Sequence, residues 1–191
     1  ESQIIGVGDT GLDYDSCFFR DDSQSVAFFP KTNTQHRKIL SYKECVTDNG
    51  GHDHTDLLDA HGTHVSGSAA GNSIGGDSQY NGLAPGAKLF FHDLTCGSDP
   101  TGLYLPGDLY DYYLPQYETG ARVGSNSWGS SSPSTYTAVD RETDRFLFEQ
   151  PDFLAVFAAG NNAFAGILSP SAAKNVLTVG AHTNSLNASA R

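Results

Sequence analysis

Methionine is absent from the 191 residues, tryptophan occurs once and cysteine three times. Without a methionine, Glu1 is not a retained initiator, and the natural N-terminus is expected upstream or made by processing. No leader peptide opens the chain either: Glu1-Ser2-Gln3 runs straight into Ile4-Ile5-Gly6-Val7-Gly8, which reads as a buried strand. Positive charge is scarce, with 11 Lys and Arg against 22 Asp and Glu and a net charge of −11. Such a surface is repelled by phosphate backbones and anionic headgroups, so neither nucleic acid nor a membrane is expected as a partner. No apolar run is long enough for a bilayer-spanning helix. Three cysteines cannot all pair within the chain. In an oxidising compartment Cys17 and Cys45, which flank one polar insert, are the expected pair, leaving Cys96 buried or bonded outside the chain.

What is present is enough for a packed core: 38% hydrophobic residues and 21 glycines, the latter suited to tight turns and close backbone approaches. Short apolar runs alternate with amphipathic stretches. Strands are predicted at Ile4–Gly8, Ala87–Phe91, Val123–Asn126, Leu154–Ala158 and Asn175–Gly180. Helices are predicted over His61–Ala70, about Asp108–Glu118, and Thr137–Gln150, where Pro151 stops the pattern. This alternation implies an α/β fold with a mostly parallel sheet. Polar loops fall at Asp13–Arg37, Thr47–Asp59 and Ser130–Ser134, and no linker or repeat divides residues 1–191 into separate domains. Reactive groups in such sheets gather at the carboxyl ends of the strands.

The first strand ends in Gly6-Val7-Gly8-Asp9-Thr10-Gly11, which satisfies the dinucleotide pattern G-x-G-x-x-G. That pattern requires a helix at its last glycine and an acidic residue about twenty positions on. Leu12-Asp13-Tyr14-Asp15-Ser16-Cys17 is a poor helix start, Phe28-Phe29-Pro30-Lys31 fills the acidic slot, and Asp9 would repel a pyrophosphate. The functional group is instead read as Asp9 itself, against the alternative of an ordinary turn aspartate. His61-Gly62-Thr63-His64-Val65-Ser66-Gly67 places two histidines three apart, without the i, i+4 spacing or the glutamate of a zinc-protease helix. Ala158-Ala159-Gly160-Asn161 follows a strand, where the Asn161 amide can donate to an oxyanion or simply fill a turn. Ser125-Asn126-Ser127-Trp128-Gly129 is an extended segment able to pair with a peptide by strand addition.

Asp9-Thr10-Gly11, His61 to Gly67, Ser127-Trp128-Gly129 and Ala159-Gly160-Asn161 together resemble the ordered motifs of the subtilase family. Gly82 to Ala87 and Asn175 to Ala181 match connecting phrases of the same family, and the likeness extends to large secreted subtilases of bacterial alkaline-protease type. The resemblance implies a three-layer subtilisin-like fold, incomplete in this chain, and peptide hydrolysis by an Asp-His-Ser triad. Asp9 would orient His61, His61 would act as base and then acid, and Asn161 would bind the oxyanion. Ser127, Trp128 and Gly129 would offer a backbone edge to substrate, and Ala158, Ala159 and Gly160 one wall of its pocket.

One part of the family pattern is missing. The nucleophile belongs in a Gly-Thr-Ser-x-Ala segment, which does not occur here, and Ser169, Ser171, Ser185 and Ser189 lack its context. The expectation is that 1–191 forms the N-terminal portion of one catalytic domain, inactive alone. The serine would then lie on an absent segment, expected on a second chain held noncovalently or through Cys96 after cleavage at Arg191. The alternatives are an inert subtilase-like binding or scaffold protein and, more remotely, an unrelated hydrolase or nucleotide-binding module. The resemblance further implies secretion, protein or peptide substrates and structural calcium. Calcium would be held by the Asn72–Asn81 loop with Asn72 and Asp77, or by Asp48–Asp59 with His52, Asp53, His54 and Asp56. Solvated polar loops carry the same residues.

Overall fold

A computed structural model describes residues 3–46, 52–53, 56, 60–96, 102–130, 135–161 and 166–182. The strand predicted at the start is β1 (Ile4–Asp9), and every residue from Gly6 to Asp9 is buried. A second strand, β2 (Ile39–Lys43), follows the long loop and is likewise buried at four of its five residues. Two short strands, β3 (Cys45–Val46) and β4 (His52–Asp53), pair antiparallel as a separate hairpin. Helix α1 (His61–Ala70) matches its predicted bounds. Then come β5 (Lys88–Asp93), α2 (Tyr110–Glu118), β6 (Val123–Asn126), α3 (Ala138–Glu149), β7 (Leu154–Ala158) and β8 (Leu177–Val179). Thr137 and Asp140 form a capping box that starts α3.

Six strands form one sheet in the order β2-β5-β1-β6-β7-β8, with all five pairings parallel. Parallel neighbours need crossovers, which places helices on the sheet faces. One face packs α1 and the 12–28 segment through Val7, Leu12, Phe19, Tyr42, Ala70, Leu89 and Phe91. The other packs α2 and α3 through Tyr112, Tyr113, Phe146, Phe153, Ala155 and Phe157. The result is the expected α/β, three-layer arrangement. Its α1 face is unevenly covered: Leu154, Leu177 and Val179, which alternate away from the α2–α3 core, are 40%, 49% and 49% exposed. Among the described residues no helix is long and apolar enough to cross a membrane.

The two glycines of β1 are explained by α2. A methyl group on Gly8 would sit 2.1 Å from the Tyr112 hydroxyl, and one on Gly6 would sit 2.0 Å from the Gln116 side chain. The glycine pattern thus serves close helix packing, and no helix opens at Gly11.

Two expectations are corrected. β2 lies where the sequence reads as the end of a polar insert, because its run is short and carries Ser41 and Lys43. Ser41 is nevertheless buried and donates to the Lys31 carbonyl. The disulfide joins Cys45 to Cys96, with Cα atoms 5.3 Å apart. β2 and β5 are adjacent and parallel, so Cys45 and Cys96 leave the sheet at the same end. Cys17 is an exposed free thiol. Its carbonyl accepts from Ile74, beyond the far end of α1, so about 15 Å of helix separates it from the strand ends. Cys96 is therefore not available to tether another polypeptide. A bridge closing a loop of 51 residues stabilises the fold by about 4 kcal/mol on chain entropy.

His92 on β5 is 7% exposed and stacks on Tyr112 at 5.3 Å. Burial, helped by the Lys43 cation, pulls its imidazole down to about 3. An unfolded histidine titrates near 6.5, so between about 3 and 6.5 the unfolded chain binds a proton that the folded chain does not. The stabilisation from a neutral His92 is complete above about 6.5 and lost as pH falls. Urea unfolding between pH 4 and 7 should show this as a slope of about 1 kcal/mol per pH unit. His92→Phe, which keeps the stack, should remove that component; an unchanged slope would contradict it.

Candidate active site

Asp9 is the last residue of β1 and is 1% exposed. A buried carboxylate must be met by donors. Its Oδ1 accepts from the Thr10 amide at 2.8 Å and faces His61 Nδ1 at 2.7 Å. With Asp9 ionised, that contact assigns the proton to Nδ1 and leaves Nε2 as the basic nitrogen. His61 opens α1, and its side chain is 49% exposed. One side of the imidazole is therefore anchored and the ring remains accessible.

The close approach depends on Gly62. A methyl there would lie 2.1 Å from the Gly11 carbonyl oxygen, so only glycine lets α1 seat against the loop after β1. The loop and the helix are also stitched together. Gly62 N donates to Thr10 Oγ1 at 2.9 Å, and Asp13 N donates to Thr63 Oγ1 at 2.8 Å. Thr10 is held from its other side by Thr95, whose hydroxyl donates to the Thr10 carbonyl at 2.8 Å. Thr95 in turn bonds Asp93, which also accepts from Tyr42.

The remaining candidates sit at the carboxyl ends of neighbouring strands. β6 is hydrogen-bonded to both β1 and β7, with Val7 opposite Ser125 and Asn126 opposite Phe157. Ser127, Trp128 and Gly129 leave β6 beside Ala158, Ala159, Gly160 and Asn161, which leave β7. Asn126 fixes the start of the first segment: its amide donates to the Val156 carbonyl at 3.1 Å and its Oδ1 accepts from Tyr112 at 2.6 Å. Trp128 is half-buried, packed against Tyr112 and Phe157 at 5.6 and 5.2 Å, so its ring anchors the segment. Leu168 lies between the two segments. A methyl on Gly129 would be 3.1 Å from its side chain, and one on Gly160 would be 2.9 Å away. Asn161 is exposed. The contact that ties candidates directly is Asp9 to His61; the others share the same end of the sheet.

Several contributors carry no motif. Asp56, Thr95, Asp93, Tyr112, Asn126 and Leu168 act through contacts with residues distant in sequence. Asn126 stood inside an extended segment the sequence did single out. Ser169 and Ser171 are buried at 3%; their hydroxyls donate to Asp140 and to the Ala158 carbonyl. Ser185, Ser189 and Arg191 lie outside the described residues, as do Asp48, His54 and Asp59. Of the calcium candidates, Asn72 Oδ1 accepts from Asn81, and Asp77 caps the turn at Gln79. Each Asp56 oxygen is taken by a protein donor. Among the described residues no group of three His, Cys, Asp or Glu side chains converges on a metal-sized site.

The model of the subtilase family matches residues 1–191. The chain belongs to the subtilase family. It is 43% identical over 190 residues to the serine protease/ABC transporter B family protein tagB of Dictyostelium discoideum, covering 95% of this chain and 9% of that protein. It is 36% identical over 141 residues to alkaline protease 1 of Aspergillus clavatus, covering 73% of this chain and 32% of that one. The solved structure of the prenylagaramide maturation protease PagA has a TM-score of 0.62 at 19% identity, covering 95% of this chain and 54% of its own. That likeness shows the subtilisin fold. This subtilase chain thus spans a small part of its curated relatives and about half of the solved chain.

Gly62→Ala should drive α1 off the Gly11 carbonyl and lengthen the Asp9–His61 contact. The expected outcome is a loss of about 1–3 kcal/mol of stability. The low-field proton signal of the His61 Nδ1–H should disappear with it. Retention of that signal would show that the approach tolerates a methyl.

Proposed function

We propose that this subtilase chain is the acid–base half of a serine endopeptidase acting on proteins or peptides. The observation that carries the reading is the 2.7 Å contact between the buried Asp9 carboxylate and His61 Nδ1. Asp9 holds the imidazole in one tautomer and balances the charge it gains. His61 takes the serine proton during attack on the scissile carbonyl and returns it to the leaving amine. Asn161 donates to the oxyanion of the tetrahedral intermediate. Ser127, Trp128 and Gly129 pair with the substrate backbone, and Ala158, Ala159 and Gly160 form one wall of its pocket.

The nucleophile is proposed to come from a Gly-Thr-Ser segment outside these residues, carried on the same polypeptide or on a second chain. Ser169 and Ser171 have their hydroxyls spent on Asp140 and Ala158, which supports an outside source. The exposed Leu154, Leu177 and Val179 give that segment an apolar face to cover. Placement outside the cytoplasm is part of the proposal, supported by the Cys45–Cys96 disulfide.

A fluorophosphonate probe applied to the whole natural protein should label one serine beyond these 191 residues and none within them. Intact mass under denaturing conditions then tells a single polypeptide from two. Asp9→Asn should lower kcat by roughly 10⁴-fold, as when a triad aspartate loses its charge. Asn161→Ala should lower it by roughly 10²- to 10³-fold. Labelling of Ser169 or Ser171 would overturn the assignment, and no labelling at all would favour an inert binding or scaffold relative.

Calcium is proposed as a structural ion at the Asn72–Asn81 loop alone, where the Asn72 and Asp77 oxygens are hard donors. A bound cation would replace their hydrogen bonds to Asn81 and Gln79. Calcium should raise the midpoint of thermal unfolding by several degrees over a chelator-treated sample. Equal midpoints would remove it from the reading.

A further inference from the structure

α1 begins without a cap of its own. Ala60, at its N-cap position, has no side-chain oxygen and sits in the left-handed region at φ 56°, ψ 34°. That is an uncommon conformation for a residue with a Cβ, and it persists only where its surroundings enforce it. The amides of the first turn need acceptors. Gly62 N finds Thr10 Oγ1, and Thr63 N finds Asp56 Oδ2 at 2.8 Å.

Asp56 has a second task. Its Oδ1 accepts from Thr10 Oγ1 at 2.9 Å. Thr10 therefore receives from Gly62 and donates to Asp56, while Asp56 receives from Thr63, and the ring of contacts closes. One carboxylate spans the residue after Asp9 and the second residue after His61. It brings a negative charge to the start of α1, where the helix dipole favours it.

We infer that Asp56 is a positioning residue for the Asp9–His61 pair, clamping the loop after β1 to the first turn of α1 so that the carboxylate and imidazole meet. It touches neither reacting group and acts through Thr10 and Thr63. The inference rests on reading Asp9 and His61 as the acid–base pair of a protease.

The test compares Asp56→Ala and Asp56→Asn with Asp152→Ala in the full-length protein. Asp152 is an exposed carboxylate paired with Arg122 and belongs to neither site. Two readouts are compared: steady-state kinetics (kcat and KM) on a peptide substrate, and the low-field proton resonance of His61 Nδ1–H. Asp56→Ala should lower kcat about tenfold or more with KM within about twofold, and should shift or broaden the resonance. Asp56→Asn, which keeps one acceptor oxygen and loses the charge, should fall between Asp56→Ala and the wild type, and it serves if Asp56→Ala fails to fold. Asp152→Ala should leave both readouts unchanged. A lower melting temperature with unchanged kcat and resonance would reduce Asp56 to a stabilising cap and overturn the inference. If the wild type shows no hydrolysis, the protease reading fails, yet the resonance still decides whether Asp56 sets the pair.

Discussion

Burying the Asp9 carboxylate imposes a demand that much of the surrounding structure answers. Removing an ionised group from water is costly unless donors meet it inside. Both donors here, the Thr10 amide and His61, converge on Oδ1, while Oδ2 is buried with no hydrogen-bond partner among the described residues. His61 has to reach the end of β1 from the start of α1. That requires a glycine at 62, a left-handed residue at 60 and acceptors for the helix amides. The parallel sheet supplies the rest, since it brings the carboxyl ends of β1, β6 and β7 together at one end of the sheet.

The two faces of the sheet divide the labour. On the α1 side, Thr10, Asp56, Asp93 and Thr95 form a polar lattice that holds the loop following Asp9. On the α2–α3 side, Tyr112, Asn126 and Trp128 hold the segment proposed to meet substrate. α3 contributes through acidic residues: Asp140 accepts from Ser169 and Asp144 from the amides of Lys174 and Asn175, which pins the loop around Leu168. Each proposed catalytic or binding segment is thus fixed by side chains that take no part in bond breaking.

Much of this was legible in the sequence, for a physical reason. β1 and β5, buried along most of their length, leave continuous apolar runs. β6, β7 and β8 showed through shorter apolar or small-residue runs, although β7 and β8 keep one face exposed. α1, α2 and α3 showed through their pattern and through Pro151 and Thr137. The Asp9 and His61 motifs were legible because each needs glycines or threonines beside it for the same close approach. β2 was hidden because the polar Ser41 and Lys43 interrupt its apolar run. The cysteine pairing departs from the expected Cys17–Cys45 because adjacency of β2 and β5 in the sheet, and not proximity along the chain, brings Cys45 to Cys96. Asp56 reads from the sequence as a candidate calcium ligand in a polar loop and not as a positioning residue, since its partners Thr10 and Thr63 lie outside that loop.

The packing of α2 onto β1 bears on how such a sequence can drift. Gly8 and the Tyr112 hydroxyl occupy what would be a single volume once any side chain appears at position 8. That volume borders the residue carrying the buried charge. Neither position can therefore wander alone: a larger residue at 8 has no room until the ring at 112 shrinks, and a smaller ring at 112 releases Asn126 and Trp128 together. Substitutions at these two sites should appear in lineages as linked changes, although one sits in a strand and the other in a helix.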